Sequence, residues 1–141
     1  MRLPVAEART LFGAARVARL ATVRPDGAPH LVPVCFALDG DTAYSAVDAK
    51  PKRSERLARL ANVAAEPRVA LLADHYEDDW TRLWWVRMDG RACELPDGDE
   101  RRRALALLAE RYPQYRAAAP AGPVLAVRAE RWSGWRAAPP L

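Results

Sequence analysis

The sequence is poor in the residues that build metal centres and disulfide frameworks: of 141 residues, two are Cys and two are His. Cys35 and Cys93 alone make neither a disulfide scaffold nor a four-ligand zinc site, and each reads most simply as a small buried hydrophobe. His30 and His75 lie in no HExxH or CxxC setting, so no resident metal is expected. No run approaches the ~20 uninterrupted apolar residues that a membrane span requires. Arg2, Glu7 and Arg9 stand where a signal peptide needs its apolar stretch, which predicts a soluble, cytoplasmic protein without membrane partners. Also missing are a GxSxG elbow, a Walker loop and a GxGxxG turn, and most of the seven glycines sit at evident turns. An enzyme built this way leaves the bond-making to a bound cofactor.

Lysine is scarcer still. Of 22 basic residues 20 are Arg, and with 29 Ala this composition suggests a GC-rich genome. The two lysines are Lys50 and Lys52. Between Lys50 and Arg59 five basic residues meet one acid, a local charge of +4 that equals the net charge of the chain. The segment runs from a strand end into a helix start, where free backbone N–H groups already favour an anion. Lys50, Lys52 and Arg53 add charged donors suited to a phosphate or a chain of carboxylates. The competing reading is a solvated basic helix face, partly neutralised by Glu55. Nucleic acid is not expected as a partner, because the tryptophans lie away from this cluster. The acidic stretch Asp74–Asp79 around His75 reads as a solvated loop.

The length fits one domain over residues 1–141. Pro4, Val5, Ala8, Leu11 and Phe12 have helical spacing, predicting a helix over about 4–13. Val17–Val23 and His30–Leu38 read as strands around a turn at Arg24-Pro25-Asp26-Gly27, with Pro33 requiring an edge or a bulge. Asp39-Gly40 signals a hairpin to Thr42–Val47, which would complete a three-stranded meander. Ser54–Ala65 reads as a helix with Leu57, Leu60, Ala61 and Ala64 on its apolar face. Strands follow at Arg68–Ala73, at Thr81–Met88 and, after an Asp89-Gly90 turn, at Arg91–Leu95. A helix from Pro96 through Tyr112, a strand at Val124–Ala129 and a Pro-rich tail over about 136–141 complete the chain. Six to seven antiparallel strands with three helices predict a mostly β fold, a small closed or half-closed barrel with helices across its openings.

Three of the five tryptophans, Trp80, Trp84 and Trp85, fall within six residues. Adjacent Trp84 and Trp85 point to opposite faces of a strand, so one joins the core and the other covers a ligand or, by preference, a second subunit. His30, at a strand start after Pro29, reads as a hydrogen-bonding residue of the strand edge or as a general acid.

Leu20-Ala21-Thr22-Val23, Pro25-Asp26-Gly27, Pro29-His30, Val32-Pro33-Val34 and Phe36 together resemble the opening of the pyridoxamine-phosphate-oxidase-like, FMN-binding split-barrel superfamily. Arg59, Asn62 and Pro67-Arg68-Val69 match its basic residue three before an Asn and the Pro that leads into a strand. Val47-Asp48-Ala49-Lys50-Pro51-Lys52, Asp74-His75-Tyr76 and Asp79–Arg87 resemble an actinobacterial branch that uses the deazaflavin coenzyme F-420. The likeness covers roughly residues 5–135. It implies a split-barrel homodimer with two cofactor sites at the subunit interface. The ring would lie near Val32, Pro33, Val34, Ser45, Ala46 and Val47, and the phosphate and any oligoglutamate tail near Lys50, Lys52, Arg53 and Arg59. Asn62 belongs to the same motif, and Trp84 or Trp85 would close the site from the neighbouring subunit. Where the superfamily more often has Lys before the Asn, this chain has Arg59, a planar fork in place of a point charge. The activity implied is hydride transfer from reduced deazaflavin to an unsaturated small molecule, with His30 and Tyr76 as candidate proton donors. The alternatives are an FMN-dependent oxidase or reductase and a non-catalytic flavin- or tetrapyrrole-binding protein.

Overall fold

Helix α1 (Val5–Ala14) leads into strand β1 (Ala18–Val23) of the computed structural model, which describes residues 1–47 and 53–138, residues 53–57 by their backbone alone. The chain turns at Arg24–Gly27, where the Gly27 N–H donates to the Arg24 carbonyl at 2.8 Å and Gly27 adopts a φ of 88° that suits glycine. Strand β2 (Pro29–Val34) returns antiparallel to β1. The Arg24 N–H donates to the Ala28 carbonyl at 2.9 Å. From that pair onward, His30, Val32 and Val34 turn their main-chain groups toward β1, and Pro29, Leu31 and Pro33 turn theirs away.

Strands β3 (Ala37–Asp39) and β4 (Thr42–Ala46) follow, then helix α2 (Arg53–Ala65), β5 (Arg68–His75), a single 3-10 turn (Trp80–Arg82) and β6 (Trp84–Glu94). Helices α3 (Asp99–Arg111) and α4 (Pro113–Ala117) precede the last strand, β7 (Val124–Arg136). All neighbouring strands are antiparallel, in the order β2-β1-β5-β6-β7-β4-β3. The sheet curls into a split barrel flanked by helices, the predicted fold class. Among the described residues, no helix is long and apolar enough to cross a membrane.

β2 is an edge strand, so its two prolines leave no ladder bond unmade, as Pro33 requires. The expected meander does not form. The stretch from His30 to Leu38 breaks at Cys35-Phe36, and its two halves lie at opposite edges of the sheet. Phe36 explains the break. Its ring is fully buried against Phe12, with centroids 4.7 Å apart, and its N–H donates to the Tyr112 hydroxyl at 3.0 Å instead of to a strand. The hairpin signalled by Asp39-Gly40 is present, with Gly40 at a φ of 60°.

Asp89-Gly90 is no turn, because β6 runs through it. The β6–β7 register shifts there, with Asp89 opposite Arg131 and Gly90 opposite Ala129, which leaves Glu130 bulged. A Cβ on Gly90 would lie 2.2 Å from the Arg128 carbonyl oxygen, so the glycine serves close backbone approach. The final strand likewise extends past Ala129, and Trp135 pairs opposite Trp85. Helix α2 is rotated from its predicted face. Asn62 and Val63 are buried while Ala61 and Ala64 are exposed, and the Leu57 side chain lies outside the described residues. A hydrogen bond explains the rotation: Asn62 Nδ2 donates to Thr22 Oγ1 at 3.0 Å beneath the helix.

Phe12, Leu20, Phe36, Val86, Met88 and Leu125 fill the main core, each worth about 1.5–3 kcal/mol of apolar transfer. A second layer packs α3 on the other side of β4 and β7 through Tyr44, Leu95, Ala104, Val124 and Ala126. The outer face of β2, β1, β5 and the first half of β6 has no such cover among the described residues.

Candidate functional site

Two strand ends meet where the chain leaves β4. Ser45 Oγ donates to the Cys35 carbonyl at 2.8 Å, and the Val47 N–H donates to the Pro123 carbonyl at 2.8 Å. Val34, Ser45, Ala46 and Val47 are buried there, Val32 is half-buried against the core, and Pro33 is exposed. The Ser45 bond thus sets the end of β2, at Val34–Cys35, beside the end of β4. Lys50 and Lys52 lie outside the described residues. Arg53 is the first residue of α2, and its side chain is not described.

Further along α2, Arg59 is half-buried and Asn62 is buried one turn later. Thr22, the acceptor of the Asn62 bond, stands opposite His30 in the β1–β2 ladder. His30 is 8% exposed, and its Nδ1 is enclosed with no hydrogen-bond partner. Among the described residues no bond reaches Nδ1. Its ring faces inward, because Pro29, not His30, takes the outward position at the start of β2.

The uncovered outer face carries three rows of side chains. Leu31, Ala21, Ala70 and Asp89 are in register across β2, β1, β5 and β6. Pro33, Arg19, Leu72 and Arg87 form the next row, and Asp74, Trp85 and Trp135 lie beyond it. With Tyr76 these rows border a concavity of about 600 Å³. Leu31 and Tyr76 are 66% and 63% exposed. The charges cancel in pairs: Arg19 lies 3.9 Å from Asp74, and Arg87 Nε lies 3.0 Å from Asp89. The two adjacent tryptophans divide as the alternation predicts. Trp84 packs against the core, whereas Trp85 stands on the open face with the Arg87 guanidinium 5.9 Å from its ring centre. Of the pair, only Trp85 reaches the open face.

This face was the part that pattern reading missed. Its signal was present, because Ala21, Val23, Leu31, Ala70 and Leu72 make the outward positions of three strands too apolar for a solvated surface. Cys93 also departs from its reading: it is exposed, on the outward side of β6. No group of three or more potential metal ligands occurs among the described residues, and His75 Nε2 pairs with Glu77.

The strongest electrostatic perturbation lies elsewhere. Arg128 donates to both Glu100 oxygens, at 2.9 and 3.0 Å, and the Tyr44 hydroxyl donates to Glu100 Oε2 at 2.8 Å. The Arg128 bonds first, then Tyr44, hold the Glu100 carboxyl down to about 2. Burial, followed by the neighbouring carboxylate, pushes the Tyr44 phenol up. This cluster pins α3 to β4 and β7 and touches neither the strand ends nor the open face.

The sequence profile of pyridoxamine 5'-phosphate oxidase matches residues 5–136. The chain belongs to this family. A FAD-binding protein from Mesorhizobium loti is 25% identical, superposes with a TM-score of 0.70, and the match covers 95% of this chain and 93% of that one. The Mycobacterium tuberculosis protein Rv2991 is 23% identical with a TM-score of 0.77, covering 95% and 86%. The heme storage protein HutZ from Vibrio cholerae shares the fold at 17% identity and a TM-score of 0.69, covering 94% and 91%. A search among curated proteins finds no match.

Proposed function

We propose that the protein is a homodimeric oxidoreductase that uses the deazaflavin coenzyme F-420 to transfer a hydride to an unsaturated small molecule. The observation that carries this reading is the Ser45 bond to Cys35, which sets the end of β2 beside the end of β4 immediately before the segment that holds Lys50, Lys52 and Arg53. A flavin-like cofactor presents a flat ring edge with donors and acceptors, a hydroxylated chain and an anionic end. The described residues fit those needs. The free edge of β2 offers the Leu31 N–H and the carbonyls of Pro29, Leu31 and Pro33 to the ring edge. Val32, Val34 and Val47 give the ring apolar neighbours, and the N-terminus of α2 favours an anion.

When bound, the cofactor supplies the hydride. The chain's own residues bind and orient it and exclude water, and the reaction asks no nucleophile of them. The basic residues of 50–53 hold the phosphate and an acidic tail; the only two lysines of the chain lie there. A second copy covers the open face, whose paired Arg and Asp side chains suit a self-complementary contact. Trp85 then reaches the neighbouring subunit.

A second reading, FMN in place of F-420, is favoured by the FAD-binding relative from Mesorhizobium loti. Fluorescence titration with F-420 and with FMN separates the two, repeated on Lys50→Ala and Lys52→Ala. The expected result is saturable F-420 binding that weakens at least ~10-fold in the lysine variants, about 1.4 kcal/mol. Preferential FMN binding assigns the chain to a flavin oxidase or reductase. Heme binding without reductase activity makes it a carrier, and binding of none removes the function.

A further inference from the structure

His30 is the buried group that nothing in the fold explains. Among the described residues its Nδ1 is enclosed without a hydrogen bond; the Thr22 hydroxyl across the ladder accepts from Asn62 and makes no bond to the ring. Buried polar atoms in folded proteins are nearly always paired, so an orphan of this kind points to a missing partner. The ring stands on the inward face of β2, on the same side of the strand as Val32 and Val34. It is the only polar side chain on that face of β2. Either ring nitrogen can carry the proton, so the ring can donate to an oxygen or accept from a hydroxyl.

We propose that His30 is a cofactor-contacting residue whose missing hydrogen bond is completed by an oxygen of the bound cofactor, from its hydroxylated chain or its phosphate. The inference rests on the function proposed above. It assigns His30 neither proton transfer nor a part in the fold's own stability. It also sets His30 apart from an ordinary core histidine, since Nδ1 finds no partner among the described residues.

The test compares wild type with His30→Phe and His30→Gln in two measurements, thermal unfolding of the free protein and fluorescence titration with F-420. His30→Phe keeps the ring's bulk and removes its hydrogen-bonding atoms. Its free form is expected to melt no lower than wild type while its F-420 affinity falls at least ~10-fold. His30→Gln is expected to recover most of that affinity, which a purely structural role would not produce. Repeating the titration with the deazaflavin stripped of its phosphate-linked tail separates the two sources of oxygen. A loss seen with both ligands assigns the hydroxylated chain, and a loss confined to the intact cofactor assigns the phosphate. Wild-type binding with an unchanged His30→Phe affinity overturns the inference alone. A His30→Phe or His30→Gln protein that fails to fold also overturns it, because the ring would then be satisfied within the free protein. Wild type that binds neither ligand removes the proposed function and this inference together.

Discussion

Ser45 Oγ donates to the Cys35 carbonyl at 2.8 Å, which ties β4 to the residue that follows β2. Ala37 faces Tyr44 in the β3–β4 ladder, so this bond extends that hairpin past its last pair and sets the end of β2 beside the end of β4. Ser45→Ala is expected to lower stability by about 1 kcal/mol. Urea unfolding checks it, as a lower midpoint with an unchanged slope. A midpoint equal to wild type would show that this junction does not depend on the hydroxyl.

Gly90 faces the Arg128 carbonyl so closely that a Cβ would sit 2.2 Å from the oxygen. Gly90→Ala must therefore move backbone in the middle of the longest ladder. The expected cost is about 3 kcal/mol or more. Thermal unfolding measures it, and a variant that melts with wild type would contradict the bulge geometry.

Glu100 is held down to about 2 from an ordinary 4.5, first by its bonds from Arg128. A carboxyl depressed in the folded state contributes stability that is complete above about pH 4.5 and is lost as the pH falls toward 2. Glu100→Gln is expected to flatten the acid limb of the stability profile in that window. Because Arg128 and Glu100 are both partly exposed, added salt should reduce the difference. Chemical unfolding at stepped pH values tests both statements, and equal acid limbs would refute them.

The open face is expected to be an interface between two copies. Leu31→Asp places a charge in the row that joins β2, β1 and β5. It should halve the mass seen by light scattering while leaving the fold intact by circular dichroism. A wild-type protein that is already monomeric would remove the second copy from this face.

Much of this structure was legible in the sequence because local chemistry sets it. Pro33 demanded an edge and has one, and Asp39-Gly40 demanded a hairpin and has one. The errors came where a distant residue decided the outcome. Nothing near Phe36 in the chain announces that Tyr112 will take its N–H, so one apolar run was read as one strand. Gly90 looks like a turn residue because the Arg128 backbone that requires it lies 38 positions further on (128 − 90). The strand ends of the candidate site were found through family likeness, and local pattern located only the basic segment. The orphaned nitrogen of His30 has no sequence signal, since it depends on how the side chains around the ring are placed.

The prolines of β2 have a consequence beyond tolerance of an edge. An incoming strand needs a donor about every 7 Å along the edge it joins. Pro29 and Pro33 leave Leu31 as the lone donor on that side, so the edge is a poor template for further strands. A small molecule makes no such demand. The donor-poor edge favours a small ligand over an added strand, which limits the hazard that usually attends an edge left unpaired among the described residues.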